Sequence, residues 1–167
     1  KIDYILGDFT KMNFENQKFE VILFDSSLHH FNDITSFLKN ITEKYKTITT
    51  KEIAFIGSEK PLFVSGDSFY LDNVVSNLID NAIKYSTEKL ILTISTQNVN
   101  NGIEIKFADN GIGISKEHLS KIFDKFYRVG AEQTRSTKGT GLGLYLCKKI
   151  VTFHNGEILV QPNQPKG

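Results

Sequence analysis

A chain of 167 residues with 40% hydrophobic and 23% charged content can bury one sizeable core but is short for two. A net charge of +1 gives no electrostatic ground for nucleic-acid binding, and no apolar run reaches the ~20 residues of a membrane span. One cysteine, Cys147, excludes an internal disulfide framework, and with no signal-peptide pattern at the start this points to a reducing, cytoplasmic setting.

Residues 2–6 read as a short apolar strand ending at Gly7 and Asp8, and residues 21–24 as a continuous apolar run suited to a strand buried on both faces. Asp33 can cap a following helix that carries Ile34, Phe37, Leu38 and Ile41. The string FEVILFDSSLHHFNDI, with GDF upstream, resembles the middle of class I S-adenosylmethionine-dependent methyltransferases over about the first quarter of the chain. That family's glycine-rich first motif is not in this stretch, so the resemblance implies a fragment or fusion rather than a complete methyl-donor site. His29 and His30 leave three readings open: loop or core histidines first, a methyltransferase remnant second, a phosphoacceptor third. Phosphoacceptor boxes follow the histidine with an acid and a spaced proline, whereas Phe31, Asn32, Asp33, Ile34 and Thr35 follow here.

The pattern changes near Thr47, which divides the chain into residues 1–46 and 47–167. Ile53 and Phe55 alternate with Glu52 and Ala54 in a strand, residues 57–61 make a turn, and residues 62–64 form a shorter strand leading through Gly66 into a long helix. Asp67 is placed to cap that helix. Leu71, Val74, Val75, Leu78, Ile79, Ala82 and Ile83 fall at three-and-four spacing on a core-facing side. Asn73, Asn77, Asn81 and Lys84 form a polar stripe on another side. Asparagine is an indifferent helix former, so the stripe suggests an external user for its amides. Amide oxygens suit a hydrated Mg²⁺, and a lysine one turn on suits phosphate. A solvated face in a chain rich in Asn explains the stripe equally well.

Two alternating segments follow, Leu90 to Ser95 and Ile103 to Ala108, joined through NVNNG, whose Asn-Gly end signals an antiparallel hairpin. Asp109 stands at the second strand's exit. Asp109-Asn110-Gly111-Ile112-Gly113 is a turn that can present backbone amides and leave a slot for a flat ligand, with Ser115 placed to cap the next helix. A carboxylate on the floor of such a slot can accept from an exocyclic amine. Phe123 and Phe126, three apart on a short helix, can pin one end of the polar run 129–137 to the core. Lys138-Gly139-Thr140-Gly141-Leu142-Gly143-Leu144 then runs into an apolar helix ending near His154, leaving amide donors uncovered where a polyphosphate can rest. It is neither a P-loop nor a dinucleotide turn, because no Gly-Lys-Ser/Thr closes it and no strand leads into it.

Taken in order, NLIDNAIKYS, DNGIG, FDKFYR and GTGLGL resemble the N box, first glycine box, F box and second glycine box of the ATP-binding catalytic domain of sensor histidine kinases. That family is grouped with the gyrase, heat-shock chaperone and mismatch-repair ATPases, and the resemblance covers about residues 48–161. It implies Asn81 as the Mg²⁺ ligand, with Asn77 beside metal and phosphates, Lys84 on phosphate, and Tyr85 and Phe126 lining the nucleotide pocket. It also implies Asp109 as the adenine-reading carboxylate, Gly111 and Gly113 shaping that pocket, and Arg128 reaching the polyphosphate. Gly139, Thr140, Gly141, Leu142, Gly143 and Leu144 would form the phosphate-side hinge.

Hydrolysing relatives carry a water-activating glutamate at the position of Asn77, and an amide is no base at neutral pH, so slow hydrolysis is expected. The helical hairpin that carries the phosphoacceptor does not precede this stretch, and the family's last strand does not follow it. The expectation is therefore an α+β two-layer sandwich, with a mixed, mostly antiparallel sheet and helices on one face. It would use ATP and Mg²⁺, with Asn77, Lys84 and Arg128 as catalytic residues. Its γ-phosphoryl group would go to a histidine on a separate dimerisation domain, and from there to a response regulator. The location would be cytoplasmic, alone or as the inner part of a membrane-bound sensor. The alternatives are a nucleotide-binding or interaction module without transfer, and a methyltransferase remnant.

Overall fold

The computed structural model describes residues 30–31, 33–49, 51–58, 60–86, 89–99, 102–129 and 139–161. The expected strands at 2–6 and 21–24, together with His29 and residues 130–138, lie outside the described residues.

Asp33 opens the first helix as the sequence predicts. The Ser36 hydroxyl and the Ser36 amide, the latter at 3.1 Å, both donate to its carboxylate and hold that carboxyl below the usual range. Helix α1 (Ile34–Ile48) then buries Ile34, Leu38, Ile41 and Tyr45 along one side. Residues 46 and 47, where the sequence pattern changes, lie in its last turn.

Strand β1 (His30–Phe31) pairs antiparallel with β3 (Val64–Ser65). The short strand expected at 62–64 begins two residues later because Leu62 is already engaged with α1. Its carbonyl accepts from Ile34 N–H at 2.8 Å, and its own N–H donates to Thr35 Oγ1 at 3.3 Å.

The main sheet holds β2 (Glu52–Ile56), β4 (Ile91–Val99) and β5 (Gly102–Asp109) in the order β2-β4-β5. β2 runs parallel to β4, and β4 pairs antiparallel with β5 through to Val99↔Gly102, as the Asn-Gly signal predicts. The registers Ile53↔Leu92, Phe55↔Ile94 and Ile94↔Phe107 place these side chains on one face. Helix α2 (Ser68–Tyr85) covers that face with Val75, Ile79 and Ala82, and α1 joins the same core. Burial of Leu38, Ile79, Leu92 and Ile94, each fully enclosed, contributes about 1.5–3 kcal/mol apiece. Asp67 caps α2, accepting from Phe69 N–H at 2.8 Å and Tyr70 N–H at 3.3 Å.

Helix α3 is a single turn (Lys116–Leu119), and α4 spans Gly143–Phe153. Phe123 and Phe126 do not share a helix. Beyond α3 the chain advances in three-residue turns, with Asp124 N–H donating to Lys121 O and Tyr127 N–H to Asp124 O, and Phe126 itself stands in the left-handed region at φ +66°, outside any helix. Ser115 occupies the N-cap position without a capping bond, its hydroxyl donating instead to Glu117 at 3.3 Å.

Helix α4 packs on α2 with its start near Asn77 and its end near Asp67, so the two run antiparallel. Cys147 is fully buried in that contact, its Sγ 3.9 Å from Val74 O. At the far end His154 Nε2 accepts from Asp67 N–H at 3.0 Å, while Nδ1 lies 2.8 Å from Ile150 O. Those two backbone partners fix the tautomer with its proton on Nδ1.

Candidate functional site

The crossover from β2 through α2 to the parallel β4 sends α2 back against both strands, and β5 also returns. The starts of β2 and β4, the end of α2 and the end of β5 therefore gather at one end of the sheet. Asp109 is the last residue of β5. Its Oδ1 accepts from Gly111 N–H at 2.8 Å, and Ile112 N–H donates to Tyr85 O at 3.2 Å, joining the DNGIG turn to the last turn of α2. A Cβ on Gly111 would lie 2.7 Å from Asp109 Oδ1 and 3.0 Å from Tyr85 O, so only glycine admits this approach. Asn110 ties the same turn to β4: Oδ1 accepts from Ile91 N–H at 2.8 Å, and Nδ2 donates to Lys89 O at 2.8 Å. Gly113 follows with φ +71°.

The polar stripe of α2 lies along the second glycine box. Asn73 Nδ2 donates to Phe69 O at 2.7 Å and Asn77 Nδ2 to Asn73 O at 2.8 Å, so these amides give their N–H groups to their own helix. That leaves the Asn77 amide oxygen as the group facing outward. A Cβ on Gly143 would stand 2.8 Å from Asn77 Oδ1, and a Cβ on Gly139 would stand 2.6 Å from Lys84 Nζ. Lys84 Nζ also sits 5.1 Å above the Tyr85 ring. Asn81, half-buried, occupies the turn between Asn77 and Lys84.

The stretch 139–143 is anchored from the other side. Phe126 N–H donates to Gly141 O at 3.0 Å, with both residues in the left-handed region at φ +66° and +73°. The Phe126 ring is 61% exposed, so its backbone rather than its ring makes the link, a correction to the expected apolar pin. Leu142 takes the N-cap position of α4 with no side-chain capping bond, which keeps donor capacity in the first turn near Gly143 and Leu144. Thr140 is exposed, and Arg128 is half-buried two residues past Phe126. His118 Nδ1 lies 2.7 Å from Tyr127 Oη and steadies the segment that carries Phe126 and Arg128.

The structure thus brings Asn77, Lys84, Tyr85, Asp109, Gly111, Gly139, Gly141, Gly143 and Phe126 around the C-terminal half of α2. A groove of about 560 Å³ between Phe123, Lys148, Thr152 and residues 156–160 involves none of them. Among the described residues no three His, Cys, Asp or Glu side chains cluster as a cation site. A divalent ion here would rest on an amide oxygen together with oxygens brought by a ligand and by water, which is a donor set suited to Mg²⁺. Two polar ties escaped the sequence reading. Asn110 lay inside a recognised box but carried no sign of its two side-chain bonds. Lys51, whose Nζ donates to Ile83 O at 3.0 Å and to Ser86 Oγ at 2.7 Å, had no local signal.

Residues 66–167 match the family described as histidine kinase-, DNA gyrase B-, and HSP90-like ATPase, and residues 1–47 match a methyltransferase domain. The chain is 39% identical over 127 residues to the sensor protein RprX of Bacteroides fragilis, covering 75% of this chain and 24% of that one. It is 35% identical over 161 residues to the sensor histidine kinase WalK of Bacillus subtilis, covering 91% of this chain and 26% of that one. Among solved structures it superposes on a mycobacterial sensor histidine kinase, MprB, with a TM-score of 0.66 at 29% identity, covering 81% of this chain and 86% of that one. The chain spans about a quarter of the length of the curated relatives it matches. No described helix is long and apolar enough to cross a membrane.

Proposed function

This chain belongs to the histidine kinase-, DNA gyrase B- and HSP90-like ATPase family, and from that premise we propose that it binds Mg-ATP along the C-terminal half of α2 and donates the γ-phosphoryl group to a histidine. The acceptor belongs to a dimerisation domain, which passes the group to a response regulator. The observation that carries this reading is the bare approach of Gly139 and Gly143 to Lys84 and Asn77. An ammonium and an amide oxygen there face backbone with no side chain between them, the arrangement a polyphosphate and its counter-ion need.

Asp109, its carboxylate oriented by Gly111 N–H, accepts from the exocyclic amine of adenine beside Tyr85. Asn81 holds Mg²⁺, with Asn77 next to it, while Lys84 and Arg128 neutralise phosphate oxygens. Bound Mg²⁺ supplies charge neutralisation to the terminal phosphates. Asn77 offers an amide and no base, so water is not activated and turnover depends on an incoming histidine.

Calorimetric titration with Mg-ATP tests the binding step. Asn81→Ala and Asp109→Ala are each expected to abolish measurable binding, and unchanged affinity in both overturns the site. Labelled γ-phosphate delivered to a supplied dimerisation domain tests the transfer. Binding without transfer leaves a nucleotide-binding module. A parallel titration with S-adenosylmethionine tests the second reading raised by the match of residues 1–47.

A further inference from the structure

Lys51 stands just before β2, at the end of the sheet where α2 finishes. Its ammonium donates to the Ile83 carbonyl at 3.0 Å and to Ser86 Oγ at 2.7 Å. Ile83 lies in the last turn of α2, whose carbonyls have no partners within the helix and carry its negative dipole end. The next link runs outward, since Tyr85 O accepts from Ile112 N–H at 3.2 Å. One further link, Gly111 N–H to Asp109 Oδ1 at 2.8 Å, sets the carboxylate.

We propose that Lys51 is a positioning residue for the purine end of the site, holding the last turn of α2 so that the Tyr85 carbonyl keeps the DNGIG turn and the Asp109 carboxylate in register. This rests on the nucleotide reading above and adds a residue outside its four boxes. The helix does not need Lys51 merely to end. Ser86 Oγ already donates to Ile83 O at 2.9 Å, so that carbonyl keeps a partner when the ammonium is removed. What disappears is the tie between the entrance of β2 and the end of α2. Lys84 shares that last turn of α2, but the rest of the phosphate end is held elsewhere, through Gly141 and Gly143 against Phe126 and Asn77. Removing Lys51 therefore acts on reading of the base and leaves phosphate binding in place.

The test compares the full chain with Lys51→Met and Lys51→Arg, each titrated with Mg-ATP and with Mg-purine riboside triphosphate. The second ligand keeps the whole triphosphate and lacks only the exocyclic amine. The wild-type chain is expected to prefer ATP. In Lys51→Met that preference falls by about 10-fold while affinity for the amine-free analogue changes by no more than about 2-fold. Lys51→Arg restores the preference, because a guanidinium can span both oxygens. Equal weakening of both ligands, or an unchanged preference, overturns the proposal. If the wild-type chain binds neither triphosphate, the nucleotide reading itself fails and the role of Lys51 falls with it.

Discussion

The two ends of the candidate site are built by opposite means. At the purine end, polar side chains tie strands and helix together: Asn110 to the start of β4, Lys51 to the end of α2, and the DNGIG backbone to Tyr85. At the phosphate end the organising feature is missing side chains. Gly139, Gly141 and Gly143 let backbone approach Lys84, Phe126 and Asn77, and a single backbone bond closes the contact with Phe126. Lost polar ties loosen a position, whereas a side chain added to a glycine contact obstructs it. Removing one tie should therefore weaken the first end in steps, whereas a side chain added at a glycine should strike the second harder, most of all where it meets backbone.

Gly141→Ala is the strongest way to break that contrast. The residue holds φ +73°, and a Cβ would meet the Phe126 backbone at 2.7–2.9 Å, where no flexible side chain can yield. ATP affinity is expected to fall by about 100-fold or more. The global melting temperature should change much less, because the core of α1, α2 and the sheet lies elsewhere. A variant with unchanged affinity would show that the Phe126–Gly141 contact plays no part in binding.

Gly143→Ala sharpens the same point with a smaller expected effect. Alanine suits the first helical position, so stability should hold or rise slightly. Its Cβ would sit 2.8 Å from Asn77 Oδ1, a side-chain atom that can rotate away. Mg-ATP affinity should drop by about 10-fold, with the loss confined to titrations containing Mg²⁺. An equal loss without Mg²⁺ would show that the Asn77 oxygen serves the phosphate slot and not the ion.

At the purine end Asn110→Ala removes two side-chain bonds while its own N–H still donates to Ile91 O. Both lost bonds are solvent-exposed, so a stability loss of about 1–2 kcal/mol is expected in denaturant unfolding. ATP affinity should fall by only a few-fold. A loss as complete as that of Gly141→Ala would erase the distinction between the two ends.

Much of this was legible in the sequence, for physical reasons that particular residues show. The caps Asp33 and Asp67, the apolar spacing of α1 and α2, and the Asn-Gly hairpin are local, and local chemistry decides them. The exposure of Phe126 and the late start of β3 were not legible, because contacts from distant segments decide them: Gly141 in one case and Ile34 with Thr35 in the other. Lys51 was hidden for the same reason, since its partners lie more than thirty positions away. The outward amide oxygen of Asn77 falls between the two classes. The spacing of the stripe gave its position, and the bond to Asn73 O gave its direction.

The smallest effect concerns Cys147, and it asks whether the phosphate end opens alone or takes α4 with it. The thiol is fully buried against Val74, and burial pushes its pKa up to about 11. At pH 8 it is protonated in the folded chain, so alkylation has to wait for α4 to leave α2. A loop that moves by itself leaves the alkylation rate near that of global unfolding and insensitive to Gly141→Ala. A rate that rises in Gly141→Ala and falls with Mg-ATP means that α4 moves with the glycine box. The pH dependence has a definite sign. The folded thiol keeps its proton to higher pH than the unfolded one, so its contribution to stability is intact below about pH 8.5. That contribution is lost as pH climbs toward 11, and Cys147→Ser, with its non-titrating hydroxyl, should flatten that part of the stability profile.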